Sequence, residues 1–220
     1  MPDLQVFCDF DGTITLEDVG NLLFSRFSDA ELWWEKARQW RKNEVDGREL
    51  WRAGVSRLRI SEAQLTGFVA GIELDPDFYG FYTFCRLNDI PMTVLSDGLD
   101  FYIQRILQLH GMDPPVLSNR LIEMADGSFE AEFPFFEQGC GSCANCKGSH
   151  IRRMTPSGSE SLYVGDGYSD LCALEAADIV YAKDDLLRLC RERGLKCRPF
   201  SRFRQVQQGC EELLGVKQRS

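Results

Sequence analysis

Two aspartates separated by a single residue stand near the start of the chain, in the run Asp9-Phe10-Asp11-Gly12-Thr13. The apolar residues Leu4 to Cys8 predict a buried β-strand, and side-chain alternation along extended chain places Asp9 and Asp11 on the same side beyond its end. Carboxylates held this close repel each other, and a divalent cation or a shared proton relieves the repulsion. The pair therefore indicates metal or acid–base chemistry; the alternative is an Asp-Gly turn that ends an ordinary strand.

Two later strands also end in polar residues. Ile90 to Leu95 predicts a second buried strand that leads into Ser96-Asp97-Gly98, and Ser161 to Val164 predicts a third that leads into Gly165-Asp166-Gly167-Tyr168-Ser169-Asp170. A serine before a helix either binds a phosphate oxygen or simply caps the helix. The glycines beside Asp166 allow a tight turn. Each feature alone is compatible with a structural or a functional role, so the choice between these roles depends on where the fold places the residues.

A cysteine-rich stretch reads Cys140-x-x-Cys143-x-x-Cys146-Lys147-x-x-His150. Three thiols and an imidazole can bind Zn²⁺ tetrahedrally. However, structural zinc sites usually pair two separate ligand clusters, and these ligands all lie in one local stretch. A redox-sensitive loop and simple loop packing therefore remain open beside a zinc site. Lys147 is a candidate to neutralise carboxylates and phosphate, with a solvated surface lysine as the alternative.

The segment after the first motif is helical in pattern. Capping boxes predicted at Ser28-x-x-Glu31 and Ser61-x-x-Gln64, with three-to-four spacing of apolar residues, predict four or five helices between Leu16 and about Phe84. The tryptophans are predicted to form the core of this bundle, with a substrate-facing role for one of them as the alternative. They are Trp33, Trp34, Trp40 and Trp51.

Beyond the bundle, strands alternate with helices, which predicts an α/β fold with a parallel sheet covered on both faces. In such a sheet the strand ends meet at the carboxyl edge. This rule brings Asp9, Asp11, Ser96 and Asp166 together, while Lys147 arrives from a loop. The expected organisation is a core of residues 1–15 and 85–220, with a hairpin flap at about 116–135 and a Cys-rich loop at 139–150, and a helical cap of residues 16–84.

Together, the Asp9 to Thr13 run, Ser96-Asp97-Gly98, Lys147 and the Gly165 to Asp170 run resemble the four motifs of the haloacid-dehalogenase-like phosphatases, in the phosphoserine-phosphatase-like branch. The resemblance implies a Rossmann-like three-layer α/β/α fold with a cap. It also implies Mg²⁺-dependent hydrolysis of a small phosphate monoester through an aspartyl-phosphate.

The resemblance assigns a role to each matching residue. Asp9 is the nucleophile and Asp11 the acid and base, with Ser96 and Lys147 as the other catalytic residues. The metal residues implied are Asp9, Asp11, Asp166 and Asp170, and the phosphate-binding residues are Ser96, Asp97, Gly98 and Lys147. Arg120 is a candidate for substrate contact, with a surface salt bridge as the alternative.

Within the family, the chain most resembles the methionine-salvage phosphatases that act on 2-hydroxy-3-keto-5-methylthiopentenyl-1-phosphate. The alternatives are phosphoserine phosphatases, phosphoethanolamine/phosphocholine phosphatases, a phosphomutase that uses the same residues, and a non-catalytic zinc or thiol sensor on a phosphatase scaffold. A dehalogenase on this fold needs neither Mg²⁺ nor a second aspartate, so Asp11 and Asp166 disfavour it. Asp97 stands where many relatives have glycine, which leaves the substrate open.

The composition disfavours several partners. With 25 Lys and Arg residues against 34 Asp and Glu residues, the net charge of −9 argues against non-specific binding to nucleic acid or anionic membranes. The N-terminal sequence shows no signal-peptide pattern, and we expect a cytoplasmic protein. In that reducing compartment the nine cysteines are expected to be thiols or metal ligands, not disulfides. The sequence carries no indication of oligomeric state.

Overall fold

The computed structural model describes residues 3–215 of the 220-residue chain. Seven strands form one sheet: β1 (Leu4–Cys8), β2 (Met92–Leu99), β3 (Val116–Glu123), β4 (Phe129–Glu132), β5 (Glu160–Gly165), β6 (Ile179–Ala182) and β7 (Arg198–Pro199). Their order is β4-β3-β2-β1-β5-β6-β7. Neighbouring strands are parallel except β3 and β4, which are antiparallel. The first strand therefore lies at the centre, next to β2 and β5.

The helices of the described residues are α1 (Val19–Phe27), α2 (Ala30–Arg41), α3 (Gly47–Ser56), α4 (Glu62–Ala70), α5 (Phe78–Leu87), α6 (Asp100–Leu109), α7 (Lys147–Met154), α8 (Leu171–Leu174), α9 (Asp184–Arg193) and α10 (Phe203–Leu214). Two short 3₁₀ helices cover Phe136–Gln138 and Tyr168–Asp170. Across residues 3–215, none of these helices combines the length and apolar character that crossing a bilayer requires.

Polar side chains cap the helices of the insertion. Ser61 and Gln64 form the predicted capping box at the start of α4. The predicted box from Ser28 to Glu31 is wrong: Asp29 is the N-cap of α2, and its side chain accepts a hydrogen bond from the backbone N–H of Leu32. Aspartate satisfies free N–H groups at a helix start as well as serine does, so the neighbouring residue could take the position.

The sheet separates two apolar cores because its side chains alternate between faces. Phe7 packs on one face with side chains of α7, α8 and α9, including Ile151 and Leu186. Val6 and Cys8 lie on the other face, which α5, α6 and α10 cover. This three-layer arrangement is the predicted α/β fold.

The insertion leaves the core after β1 and returns through a short neck, where Thr15 forms a bridge with Leu74. Helix α5 then packs against α10, with the ring centroids of Phe78 and Phe203 4.8 Å apart. The cap range of 16–84 stays a prediction. Because α5 packs on the core, we propose that the cap comprises α1 to α4 and ends near Leu74.

The predicted flap is a hairpin that extends the main sheet. Strands β3 and β4 pair around the turn at Asp126-Gly127, and the Met124 N–H donates to the Ser128 carbonyl across it. The first half of β3 pairs in parallel with β2, so that half belongs to the central sheet. The distal half, where β3 pairs with β4 alone, is therefore the part that extends beyond the central sheet.

Replacing Phe203 tests the packing of α10 on α5. Phe203 is fully buried against Phe78, Phe81 and Phe200. We expect Phe203→Ala to lower the free energy of unfolding by about 3–5 kcal/mol, because it removes a buried ring and leaves a cavity. Urea denaturation measures the change. Leu87→Ala, at an exposed position on α5, is the control and should change stability by less than about 0.5 kcal/mol. Equal effects of the two variants would contradict this packing.

Candidate active site

The polar residues predicted from the strand ends meet at the carboxyl edge of the sheet. Cys8 pairs with Val164, and the Asp9 N–H donates to the Val164 carbonyl at 2.9 Å. Carboxylate oxygens of Asp9, Asp166 and Asp170 all lie within 4.8 Å of one another. One prediction is wrong in detail: β2 continues to Leu99, so Ser96-Asp97-Gly98 lie inside the strand and not after it.

The first and last of these acidic segments interlock at Gly12. This glycine has a φ of +78°, and a Cβ atom there would lie 2.6 Å from Asp166 Oδ2. The Thr13 hydroxyl donates to Asp166 Oδ1 at 2.6 Å. A side chain at position 12 would displace the Asp166 carboxylate, so the turn requires glycine. Sequence reasoning assigned no role to Thr13, although it stands in the first motif.

Lys147 is the buried cation of the site, with only 1% of its surface exposed. Its Nζ donates to Asp9 Oδ1 at 2.6 Å, to Asp170 Oδ1 at 2.5 Å and to Ser169 Oγ at 3.0 Å. Burial alone lowers the pKa of Lys147, but the charges of Asp170 and Asp9 raise it above its ordinary value. The ammonium therefore stays charged and lies between two carboxylates.

Asp170 is fully engaged by protein donors. Besides Lys147, its Oδ1 accepts from the Tyr163 hydroxyl at 2.5 Å, and its Oδ2 accepts from the backbone N–H groups of Asp166 and Gly167, each at 2.9 Å. The Ser169 hydroxyl adds a longer contact to Oδ1 at 3.4 Å. A carboxylate held by five donors is well placed to orient the lysine and the turn around Asp166. Tyr163 is a further supporting residue that the sequence did not indicate.

Asp11 lies in a polar contact with two hydroxyls. Its Oδ2 accepts from Ser96 Oγ at 2.9 Å, and its Oδ1 accepts from the Tyr102 hydroxyl at 3.0 Å. Burial, together with the charge of Asp18, raises the pKa of Asp11 to about 7. Tyr102 was missed because it lies on the buried face of α6 and has the spacing of a core residue.

The side chains of Ser96 and Asp97, two of the predicted phosphate-binding residues, already form hydrogen bonds within the protein. Ser96 Oγ accepts from the Gly98 N–H at 2.8 Å while donating to Asp11. Asp97 Oδ1 accepts from the Asn145 N–H at 2.8 Å, and burial raises the pKa of Asp97 to about 7. The Asp97 carboxylate therefore supports the Cys-rich loop, although Asp97 and Gly98 both line the cavity described next.

A cavity of about 500 Å³ opens above the acidic residues. Asp9, Asp11 and Asp166 lie on its core side. Its cap side is mainly apolar, with Asp18 and Arg41 as charged members; the cap residues are Asp18, Asn21, Trp33, Ala37, Trp40, Arg41, Leu50 and Trp51. Trp34 is 38% exposed and lies in a separate surface depression with Glu31 and Arg38. Three of the four tryptophans therefore face the cavity.

Two predicted site residues lie elsewhere. Arg120 forms an ion pair with Glu132 across the hairpin at 3.3 Å and is about half exposed, which is the surface salt bridge named as the alternative. His150 Nε2 lies 2.6 Å from Asn145 Oδ1, and burial lowers the pKa of His150 to about 4. The imidazole therefore orients Asn145 and does not join the thiols.

The thiols do cluster, with a member that the sequence did not indicate. The Sγ atoms of Cys140, Cys143, Cys146 and Cys172 all lie within 4.8 Å of one another. His150 of the predicted set is not part of this cluster, and Cys172 at the start of α8 is the fourth member. Cys172 was missed because it follows a different strand of the sheet.

Comparisons with known proteins agree with this geometry. Residues 6–175 match the haloacid dehalogenase-like hydrolase family. The chain belongs to this family. The hydrolase is 31% identical to the 2-hydroxy-3-keto-5-methylthiopentenyl-1-phosphate phosphatase of Bacillus cereus (strain B4264), over 97% of this chain and 99% of that one. Its identity to the enzyme of that name from Bacillus mycoides (strain KBAB4) is 32%, with the same coverage.

Solved structures show the same fold. A phosphoserine phosphatase captured as a phospho-aspartyl intermediate analogue matches 98% of the hydrolase with a TM-score of 0.71 at 19% identity, and 99% of that chain is covered. A substrate-bound phosphoserine phosphatase matches 99% of both chains with a TM-score of 0.69 at 17% identity. The predicted family, fold and phosphatase class of the hydrolase are confirmed.

Tyr102→Phe tests the contact between α6 and Asp11. The variant keeps the buried ring and removes one of the two hydroxyl donors to Asp11. Because a hydrogen bond to a charged group contributes about 1.5–3 kcal/mol, we expect kcat for an aryl phosphate to fall about 10- to 100-fold with little change in Tm. The hydrogen bond from Tyr102 lowers the pKa of Asp11, so the pH limb that reports Asp11 should move to higher pH.

The matched control is Tyr79→Phe, since Tyr79 is 58% exposed on α5. It should leave kcat and the pH profile unchanged. An unaltered kcat and pH profile in Tyr102→Phe would show that its hydroxyl does not position Asp11.

Proposed function

We propose that the hydrolase cleaves a small phosphate monoester with Mg²⁺ through an aspartyl-phosphate on Asp9. The observation that carries the proposal is the grouping of the Asp9, Asp166 and Asp170 carboxylates, all within 4.8 Å, beside a buried lysine, with Asp9 and Asp166 lining a cavity. A nucleophile, a metal site and a cation for phosphate are thereby available in one place.

The charge balance of these residues fits a divalent cation. Burial, together with the charge of Asp170, raises the pKa of Asp9 well above its ordinary range and raises the pKa of Asp166 to about 7. Lys147 supplies a single positive charge against these carboxylates. Mg²⁺ prefers carboxylate and carbonyl oxygens. Asp9, Asp166 and the backbone carbonyl of Asp11 would hold it, with Asp170 in support.

The bound Mg²⁺ would offset the repulsion between the anionic phosphate and the Asp9 carboxylate. An Asp9 oxygen attacks phosphorus, and the bond to the leaving oxygen breaks. Asp11 donates its proton to the leaving alkoxide, then accepts a proton from the water that attacks the aspartyl-phosphate. Inorganic phosphate leaves and the Asp9 carboxylate is restored. A pKa near 7 suits both roles of Asp11.

Lys147 and Ser96 assist by stabilising negative charge. Lys147 Nζ, held by Asp9 and Asp170, is positioned to neutralise charge at the transferring group. The Ser96 hydroxyl, which now donates to Asp11, can rotate to a phosphate oxygen. The acidic and basic residues of the four motifs are all present, which argues against a non-catalytic sensor. They are Asp9, Asp11, Lys147 and Asp166.

For the substrate, we propose 2-hydroxy-3-keto-5-methylthiopentenyl-1-phosphate. Trp33, Trp40 and Trp51 line the cap side of the cavity, where the tail of a bound monoester would lie. A thioether packs well against aromatic rings. Phosphoserine would instead bring an ammonium and a carboxylate to these uncharged rings. The names of the Bacillus relatives support the same choice.

Phosphocholine is the second candidate, because tryptophan faces also bind quaternary ammonium ions. Arg41 weighs against it. The Arg41 guanidinium lies 5.4 Å from the centre of the Tyr168 ring, and both residues line the same cavity. The guanidinium can donate hydrogen bonds to the hydroxyl and keto oxygens of a neutral tail, whereas a trimethylammonium group offers no acceptor.

Asp9→Asn tests the reaction. We expect the variant to lose phosphate release, because an amide oxygen is a poor nucleophile and a weak Mg²⁺ ligand, while circular dichroism shows the fold intact. Chelation should also stop the wild-type enzyme, and added Mg²⁺ should restore it. The control is Asp113→Asn, at an exposed position before β3 and so at the opposite edge of the sheet. Normal turnover by Asp9→Asn would refute the assignment of the nucleophile.

A panel of phosphate monoesters tests the substrate, with two tryptophan variants of α2 as a matched pair. We expect Trp40→Ala to lower kcat/KM for the thioether substrate by about tenfold, the scale at which an apolar pocket discriminates. Hydrolysis of glycerol phosphate should change little. Trp34→Ala should leave both rates unchanged, because Trp34 lies outside the cavity. Higher kcat/KM for phosphocholine than for the thioether substrate would overturn the choice.

A further inference from the structure

The four clustered thiols come from two separate segments of the chain. Cys140, Cys143 and Cys146 lie in the loop before α7, and Cys172 lies on α8. Their Sγ atoms approach closely although each of the nine cysteines is a free thiol. The mechanism proposed above uses none of them, so the cluster requires a separate explanation.

Two of the distances between the sulfur atoms match the edge of a tetrahedron around a single metal ion, and all four atoms lie within 4.8 Å of one another. Zinc binds thiolates at about 2.3 Å, and a tetrahedron with arms of that length has edges of about 3.8 Å. The Sγ atoms of Cys143 and Cys172 are 3.7 Å apart, and those of Cys172 and Cys140 are 3.8 Å apart. A disulfide needs about 2.05 Å between its sulfurs, so these separations are not those of bonded pairs.

The backbone of the loop favours this arrangement. Gly141 has a φ of +79° and turns the chain between the first two cysteines. The Cys143 N–H points at Cys140 Sγ over 3.4 Å, a contact that stabilises a thiolate. Gly148 then lets α7 approach α8, since a Cβ atom there would lie 2.2 Å from the Cys172 carbonyl oxygen. This close approach places the fourth sulfur beside the other three.

We propose that Cys140, Cys143, Cys146 and Cys172 bind one structural Zn²⁺ ion. Four thiolates in a tetrahedron are the ligand set that zinc takes in closed structural sites, with no position left for water or substrate. Binding exchanges four thiol protons for one ion, and the protons go to solvent. The participation of Cys172 supplies the second, distant ligand segment that structural zinc sites usually have.

The ion would fasten together the segments that carry the catalytic charges. Cys146 directly precedes Lys147, and Cys172 follows Asp170 by two residues. Lys147 and Asp170 form the buried ion pair of the active site at 2.5 Å. The loop also contacts the cap, because the Gly47 N–H of α3 donates to the Ser142 carbonyl at 2.8 Å. Zinc here is therefore a positioning element that does not touch the substrate.

Metal analysis of the full-length protein, purified without chelators and supplied with Zn²⁺, tests the proposal. We expect about one zinc per chain in the wild type and close to none in Cys172→Ser. Cys197→Ser is the matched control, since Cys197 lies outside the cluster, and it should keep its zinc. His150→Gln should also keep it, which separates the four-cysteine site from a Cys₃His site.

A second measurement uses the unaltered protein, so the test survives if Cys172→Ser fails to fold. Co²⁺ in place of zinc should give the intense sulfur-to-metal charge-transfer and visible bands of a tetrahedral thiolate site. Absence of zinc and of these bands in the wild type would overturn the proposal. So would zinc retained by Cys172→Ser and lost from His150→Gln. Neither readout depends on phosphatase activity, so the zinc site and the proposed function are tested independently of each other.

Discussion

The ion pairs of Lys147 with Asp9 and Asp170 are the constraint on which the rest of the active site depends. Removing an ion from water costs several kcal/mol even after relaxation, so a buried lysine persists only where charges and hydrogen bonds offset that cost. Lys147 meets this condition with Asp9 at 2.6 Å, Asp170 at 2.5 Å and Ser169 at 3.0 Å. Lys147 makes no hydrogen bond to Asp166, so we expect the Asp166 carboxylate, together with Asp9, to be available for the proposed divalent cation. Because Lys147 contacts Asp9, a proposed metal ligand, we expect the position of the lysine to affect how tightly the cation binds.

The loop that delivers Lys147 is held from several sides. Asn145 bonds to the Asp97 carboxylate through its N–H and to the carbonyls of Ser96 and Leu117 through its side chain. The Asp97 carboxylate therefore has a role in this structure: it supports the loop. The cap reaches the neighbouring segment too, since the Arg48 guanidinium lies 3.3 Å from the centre of the Phe136 ring. The segment that carries Lys147 is therefore in contact with both the cap and the core.

The sequence predicts the parts of this site that follow from strand ends, and it fails where contacts are long-range. Asp9, Asp11 and Asp166 could be grouped because parallel strands bring their carboxyl ends to one edge. Tyr102 reads as a core residue, because helical spacing reports burial and not the direction of a hydroxyl. Cys172 has no local signal, since its approach to Cys143 depends on how α7 packs on α8. Aromatic spacing likewise cannot tell the inward Trp40 from the outward Trp34.

The two sides of the cavity are lined by different kinds of residue. Core residues supply the carboxylates on one side of the cavity, and cap tryptophans with Arg41 line the other side. Asp18, Asp184 and Asp185 also line this cavity, so negative charge surrounds the space above the phosphate. These carboxylates repel a tail that carries its own carboxylate, and Arg41 lies in the same lining as a hydrogen-bond donor. We therefore expect the charges of the lining to disfavour an anionic tail, and the aromatic rings of the cap to contact the apolar part of a bound monoester.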